Sequence, residues 1–229
     1  MNYLAHHAVA RRKSPEADPL FFVGNLLPDL LALEERARLR AVHLPAPTET
    51  ESPLIAGMRL HFAADRQFHA APIFHSLCRE AAERLRRTGF PTPLRRTFFL
   101  AHVLTEIALD GSLLRESPAL ADDLYDRLSD VDRVRVEREL APILPVSPLS
   151  PVSGSVSAIL DRFVGYGWLR TYGSYPGQAA ALRRIWQRAG LPGLRDPADL
   201  ALLTDVLEEF APRIRAATPE LLGAEGGPD

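Results

Sequence analysis

Nowhere does this chain alternate apolar and polar residues through a β-branched run closed by an Asn-Gly or Asp-Gly hairpin. Apolar residues instead recur at helical spacing along most of its length. The expectation is an all-α fold, a single helical-bundle domain of about eight helices over residues 1–222, for which 229 residues suffice. Asn2 is placed to cap a first helix ending near Arg12. Asp18-Pro19 supplies a cap and a first-turn proline for a second helix running to about Arg40. A Pro/Thr/Glu-rich loop covers Leu44 to Pro53, and a long helix, bent at Pro72, fits Leu54 to Arg87. After a break at Gly89 to Pro93, helices fit Leu94–Arg115, Pro118–Leu128 and Val131–Leu144. Beyond these come Val156–Thr171, Gly177–Ala189 and Pro197–Ala217. The Pro/Ser-rich stretch at 145–155 reads as a connection inside one domain, because the helices after it would make only a small core alone. The tail Gly223–Asp229 has the composition of a disordered end.

Composition excludes several functions. A net charge of −2 gives no basic field for nucleic acid, so nucleic acid is not expected as a main partner. One cysteine, Cys78, excludes a disulfide scaffold and a Cys-rich zinc module. Its flanks, Phe74 and Leu77, read as core, which argues against a thiol nucleophile. Met1 to His7 carries no charged segment followed by a long apolar one, as a secretory signal would. Asn25, Pro28 and Asp29 interrupt the most apolar stretch, Pro19 to Leu33, so no membrane span is expected. The cytoplasm is the expected compartment. Lys13 is the single lysine among 27 basic residues, a bias expected of a GC-rich bacterial genome.

Histidine is distributed unevenly. All seven (His6, His7, His43, His61, His69, His75, His102) precede residue 103. On a helix, residues four apart share a face, so His61, Asp65 and His69 form one stripe. At ~1.5 Å per residue the stripe is about 12 Å long, so one ion can take an adjacent pair but not all three. His102, Glu106 and Asp110 repeat the pattern on a helix that is apolar almost all round, where a buried acid must be paired or ligate a metal. Histidine and carboxylate one turn apart on facing helices is how bundles hold metals. Asp29 sits inside the apolar run Gly24-Asn25-Leu26-Leu27-Pro28, and His6 lies on a short amphipathic helix. There is no phosphate-cradling Gly-rich loop, no nucleophile elbow and no His-Glu-x-x-His pair.

The opening MNYLAH, the GNLLPD element and the stretch AGMRLHFAAD (Ala56 to Asp65) resemble the bacterial acyl carrier protein phosphodiesterases. Trp168-Leu169-x-x-Tyr172 and Phe210-x-Pro212-Arg213 extend the resemblance toward the C-terminal end. It implies an all-α, HD-type metal-dependent phosphohydrolase. Such an enzyme releases 4′-phosphopantetheine from a carrier-protein serine with manganese or magnesium. His6, Asp29, His61 and Asp65 occupy positions similar to that family's polar motif residues. Phe68-His69 stands where the family has Thr-Asp, and His102-x-x-x-Glu106-Ile107 where it has an Asp-x-x-x-Asp-His type motif. The added imidazole shifts the expected metal toward zinc or iron. A second resemblance, in the spacing of His61/Asp65 and His102/Glu106, is to zinc-dependent phospholipase C and single-strand nucleases.

The expected centre therefore gathers His6, Asp29, His61, Asp65, His69, His102 and Glu106 on one or two divalent ions, with Asp65 and Glu106 as the catalytic acids. Arg59 or Arg66 would bind the phosphate. Arg84, Arg86, Arg87, Arg95 and Arg96, flanking the Gly89–Pro93 break, would dock an acidic carrier protein. The aromatics Phe163, Tyr166 and Trp168 would contribute to a pocket. A non-catalytic helical protein binding a metal or a lipid is the competing reading.

Overall fold

The structure, a computed structural model, describes residues 1–33, 39–48, 50–144 and 155–223. Among these residues there are ten α-helices, two 3₁₀ turns and no strand. The helices are α1 (Tyr3–Lys13), α2 (Pro19–Leu33), α3 (Pro53–Ala70), α4 (Pro72–Arg87), α5 (Thr97–Glu116), α6 (Leu120–Ser129), α7 (Arg133–Leu140), α8 (Val156–Tyr166), α9 (Tyr175–Arg188) and α10 (Pro197–Leu221). Apart from Ser155 and Gly223, the expected connection at 145–155 and the expected tail lie outside the described residues. Ser155 caps α8, its side chain accepting from the Ala158 N–H.

Three of the boundaries that differ from the expected ones show the local reason. The expected helix from Leu54 to Arg87 is two helices, α3 and α4. Ala71 between them is extended (φ −66°, ψ 127°), because a residue before proline is pushed out of the helical region. The second helix does not reach Arg40, where the backbone is extended (φ −131°, ψ 155°). The helix from Val156 stops at Tyr166, because Gly167 takes the left-handed conformation that closes a helix end (φ 56°), and a 3₁₀ turn carries the chain on.

The chain divides into two compact units, each discontinuous in sequence: Met1–Gln67 with Ala119–Trp168, and Phe68–Pro118 with Leu169–Asp229. The divisions fall near 67, 118 and 168, not in the Pro/Ser-rich stretch.

In the first unit α1, α2, α6 and α8 pack together around Leu4, Phe22, Leu26, Leu124 and Leu160. α2 approaches α3 without side chains between them. A Cβ added at Gly24 would lie 2.0 Å from the Leu54 carbonyl oxygen, and one at Gly57 would lie 2.0 Å from that of Phe21. Only glycine permits so close an approach of two backbones.

In the second unit α4, α5, α9 and α10 surround Leu77, Leu104, Leu182, Trp186 and Phe210. α5 is long and apolar enough to cross a membrane by length and composition. The apolar window that passes this test is 72% buried inside the protein, as in a core helix. It meets α9 closely at Gly111, where a Cβ would collide with the Gln178 side chain. The Gln178 amide donates to the Tyr172 carbonyl (2.7 Å).

Candidate metal centres

Local structure explains the first group of donors. His6 comes from α1, Asp29 from α2 just after Pro28, and His61 from the middle of α3. Within the first unit their ligand atoms all lie within 4.8 Å of one another. Asp29 offers one oxygen to each ring: Oδ2 is 3.8 Å from His6 Nε2, and Oδ1 is 3.7 Å from His61 Nε2. The two imidazoles stack with centroids 4.0 Å apart and planes 19° from parallel. Both are buried, whereas the Asp29 side chain is 30% exposed. Asp65, one turn beyond His61, stands beside the group with Oδ1 4.0 Å from His6 Nε2 and 2.9 Å from the Met1 ammonium.

Asn25 organises this group, and sequence reasoning gave it no role. Its backbone carbonyl accepts from His61 Nδ1 (2.9 Å), which fixes the tautomer and leaves Nε2 bare toward Asp29. With its side-chain amide turned so that both oxygen and nitrogen find partners, it donates to the His6 carbonyl (2.9 Å) and accepts from the His61 main-chain N–H (3.3 Å). One residue of α2 thus ties α1 to α3. The signal was a single amide in an apolar run, beside the glycine that lets α3 approach. Burial pushes the His61 pKa down to about 4 against the pull of the Asn25 hydrogen bond and the Asp65 charge. The ring is therefore neutral near pH 7, the form that binds a metal.

The second group lies wholly in the second unit: His69 from the last turn of α3, and His102 and Glu106 one turn apart on α5. Glu106 Oε1 is 3.1 Å from His69 Nε2 and 3.2 Å from His102 Nε2, and the two nitrogens are 3.3 Å apart. The rings lie 13° from parallel, and Phe74 meets both edge-on at 89° and 90°. Burial would raise the Glu106 carboxyl, but hydrogen bonds to His102 and His69 help to hold its pKa well below the usual range. Both groups are geometrically able to hold a metal ion. The stripe His61–Asp65–His69 is divided, its first two residues serving one group and its third the other. Asp110, one turn beyond Glu106, is fully buried.

The arginines are engaged differently from expectation. Arg59 donates to Glu51 (2.6 Å) and to the Pro45 carbonyl, tying the loop before α3 to that helix rather than presenting a free guanidinium for phosphate. Arg66 is exposed. Arg84 pairs with Glu80 (2.9 Å) and Glu209 (3.4 Å), and Arg87 pairs with Glu83. The groove of about 550 Å³ along this face holds four acids, Glu80, Glu83, Asp205 and Glu209, beside Arg84 and Arg87. Arg86, Arg95 and Arg96 are exposed.

Other expected contributors serve the core. Phe163 is buried, in ring contact with Tyr3 (5.3 Å), Tyr125 (5.6 Å) and Trp168 (5.6 Å), while Tyr166 is 76% exposed. Burial pushes the Cys78 thiol up to about 11, opposite to what a nucleophile needs. His7 forms a further histidine–acid pair. It is buried, with Nε2 2.6 Å from Asp123 Oδ2. Burial pushes its pKa down to about 4 despite that bond, so it donates as a neutral ring. Partial burial opposes ionisation of Asp123, but the bonds from His7 and Arg127 and the Arg11 charge hold its pKa below the usual carboxylate range.

Compared with protein-family models, curated proteins and solved structures, the chain matches none.

Proposed function

We propose that this protein is a divalent-metal-dependent phosphodiester hydrolase with its reaction centre at His6, Asp29 and His61. One observation carries the reading. Two water-shielded imidazoles and a partly exposed carboxylate, from three helices, bring their donor atoms within 4.8 Å. Burial keeps His61 neutral, and the Asn25 carbonyl aims it. A divalent ion at such a centre supplies a Lewis acid for a phosphoryl oxygen and brings the pKa of water toward neutrality. Asp65, 37% exposed and 4.0 Å from His6, is the group placed to accept the proton of the attacking water. Exposed Arg66, its neighbour on α3, is the candidate for holding a non-bridging oxygen, since Arg59 is committed to Glu51.

The sequence resemblance nominates the substrate: the phosphodiester joining 4′-phosphopantetheine to a carrier-protein serine, in a frame of HD or phospholipase C type. The test is metal analysis of the purified protein, followed by turnover of bis(p-nitrophenyl) phosphate and of a holo carrier protein, with and without chelator. Expected are bound ion, chelator-sensitive release of product and loss of at least about 100-fold in kcat/KM for His61→Ala. A protein that takes up no manganese, magnesium, zinc or iron(II) would overturn the reading. So would a loaded protein with no turnover, which would then be a metal-binding protein without catalysis.

A further inference from the structure

We infer that His69, His102 and Glu106 form a second metal site, complete within its own unit and built for zinc. The inference does not rest on the hydrolase reading, because none of these residues belongs to the His6–Asp29–His61 group.

Spacing is the first argument. Ligand atoms ~2.0 Å from a tetrahedral ion stand about 3.3 Å from one another. Adjacent donors on an octahedral ion at a similar radius stand about 3.0 Å apart. The three separations here are 3.1, 3.2 and 3.3 Å, a nearly equilateral triangle of the size that three donors of one ion form. Donor type is the second. Two imidazole nitrogens and one carboxylate oxygen are the borderline set that zinc takes in three-ligand sites with an open fourth position. Exposure is the third. The His69 and His102 side chains are 31% and 37% exposed, so the fourth position opens to solvent, where water or an exogenous donor can bind.

The triangle is also supported from behind. Phe74 stands at right angles to both rings, with centroids 5.1 and 5.0 Å away, and holds their planes nearly parallel. Glu106 is pinned by the helix it shares with His102. A carboxylate oxygen shared by two imidazole N–H donors would satisfy the same three side chains without an ion. Metal binding separates these two states.

The experiment uses the full chain carrying His61→Ala and Asp29→Ala, which removes two donors of the first group. Zinc uptake is measured by equilibrium dialysis and elemental analysis, and cobalt(II) is added separately as a spectroscopic probe. One zinc per chain is expected, with the intense visible absorption of tetrahedral cobalt. Adding His102→Ala should abolish uptake, and Glu106→Gln should weaken it at least about 100-fold. Phe74→Leu keeps all three donors and tests the support alone, with an expected loss of about 10-fold. Circular dichroism of each variant separates loss of ligand from loss of fold. No zinc uptake by the folded parent, uptake unchanged by His102→Ala and Glu106→Gln, or a purely octahedral cobalt spectrum would each overturn the inference. Since the readout is ion count and geometry, its failure leaves the phosphodiesterase assay untouched.

Discussion

The two donor groups use the same ligand types and are built in opposite ways. The first hides both imidazoles and leaves its carboxylate partly in water, with oxygen–nitrogen separations of 3.7 and 3.8 Å. The second keeps its carboxylate 16% exposed between two half-exposed rings, and its donors stand 3.1–3.3 Å apart. In the first, position comes from the backbone: the Asn25 carbonyl and two glycines at a helix crossing. In the second it comes from one helical turn and one aromatic ring. Burial makes His61 in the first group costly to protonate, whereas solvent contact leaves the second open to an exogenous ligand. One protein can thus reach a ligand-ready state by desolvation in one unit and by ring packing in the other.

The largest expected effect is on pH stability. The unfolded chain protonates His7 and His61 near 6.5, but the folded chain does so only near 4. The unfolded state therefore binds more protons in that window. Stability is full above about pH 6.5 and falls as pH drops toward 4, by on the order of 3 kcal/mol for each residue in metal-free protein. The depressed Asp123 acts in the same sense at the acid end. Chemical denaturation of chelated protein from pH 7.5 to 4 should show this slope, and His7→Gln should remove about half of it. An unchanged slope in His7→Gln would break the assignment of acid sensitivity to the first unit.

Next in size is Gly57→Ala. Its Cβ would fall 2.0 Å from the Phe21 carbonyl oxygen, so α2 and α3 must part. A loss of about 3 kcal/mol is expected in urea unfolding, together with the metal of the first group. Zinc at His69, His102 and Glu106 should be retained under native conditions. Asn25→Ala leaves the main-chain carbonyl in place and removes only the amide that ties α1 to α3. Metal affinity at the first group should fall by about 10-fold in dialysis, with none lost at the second. The smallest effect is at Cys78, whose thiol donates to the Thr105 hydroxyl. Cys78→Ala should cost about 1 kcal/mol and alter neither ion count. The native thiol should resist iodoacetamide at pH 8 until denaturant is added.

The helical class was legible because periodicity and the lack of strand patterns are local properties. The break at Pro72 was visible as a bend, although its completeness depended on the extended Ala71. The division into two units was not legible, since it follows contacts among segments far apart in sequence rather than the Pro/Ser-rich stretch. At the sites, Asp29 from its apolar run, His61 from the stripe and Glu106 from its apolar helix each lie in one of the two donor groups. The stripe put His61, Asp65 and His69 on one face but did not give their division, because a shared helix face says nothing about which neighbours each turn meets. The arginines were the least readable. Arg84 meets Glu209, 125 positions away, and Arg59 meets Glu51 across a loop, partners that a run of basic residues does not reveal.

The glycine crossing between α2 and α3 also bears on how freely the core can vary. At that crossing the spacing of the helices carrying Asp29 and His61 is set by main chain against main chain. The buried leucines nearby, Leu26, Leu27 and Leu30, fill volume without acting as the spacer. A library that exchanges those leucines for other apolar residues of equal volume should therefore drift in stability while the ion-binding constant stays still. The glycine pair is the calibration mark of the centre, and the hydrophobic interior can be rewritten around it.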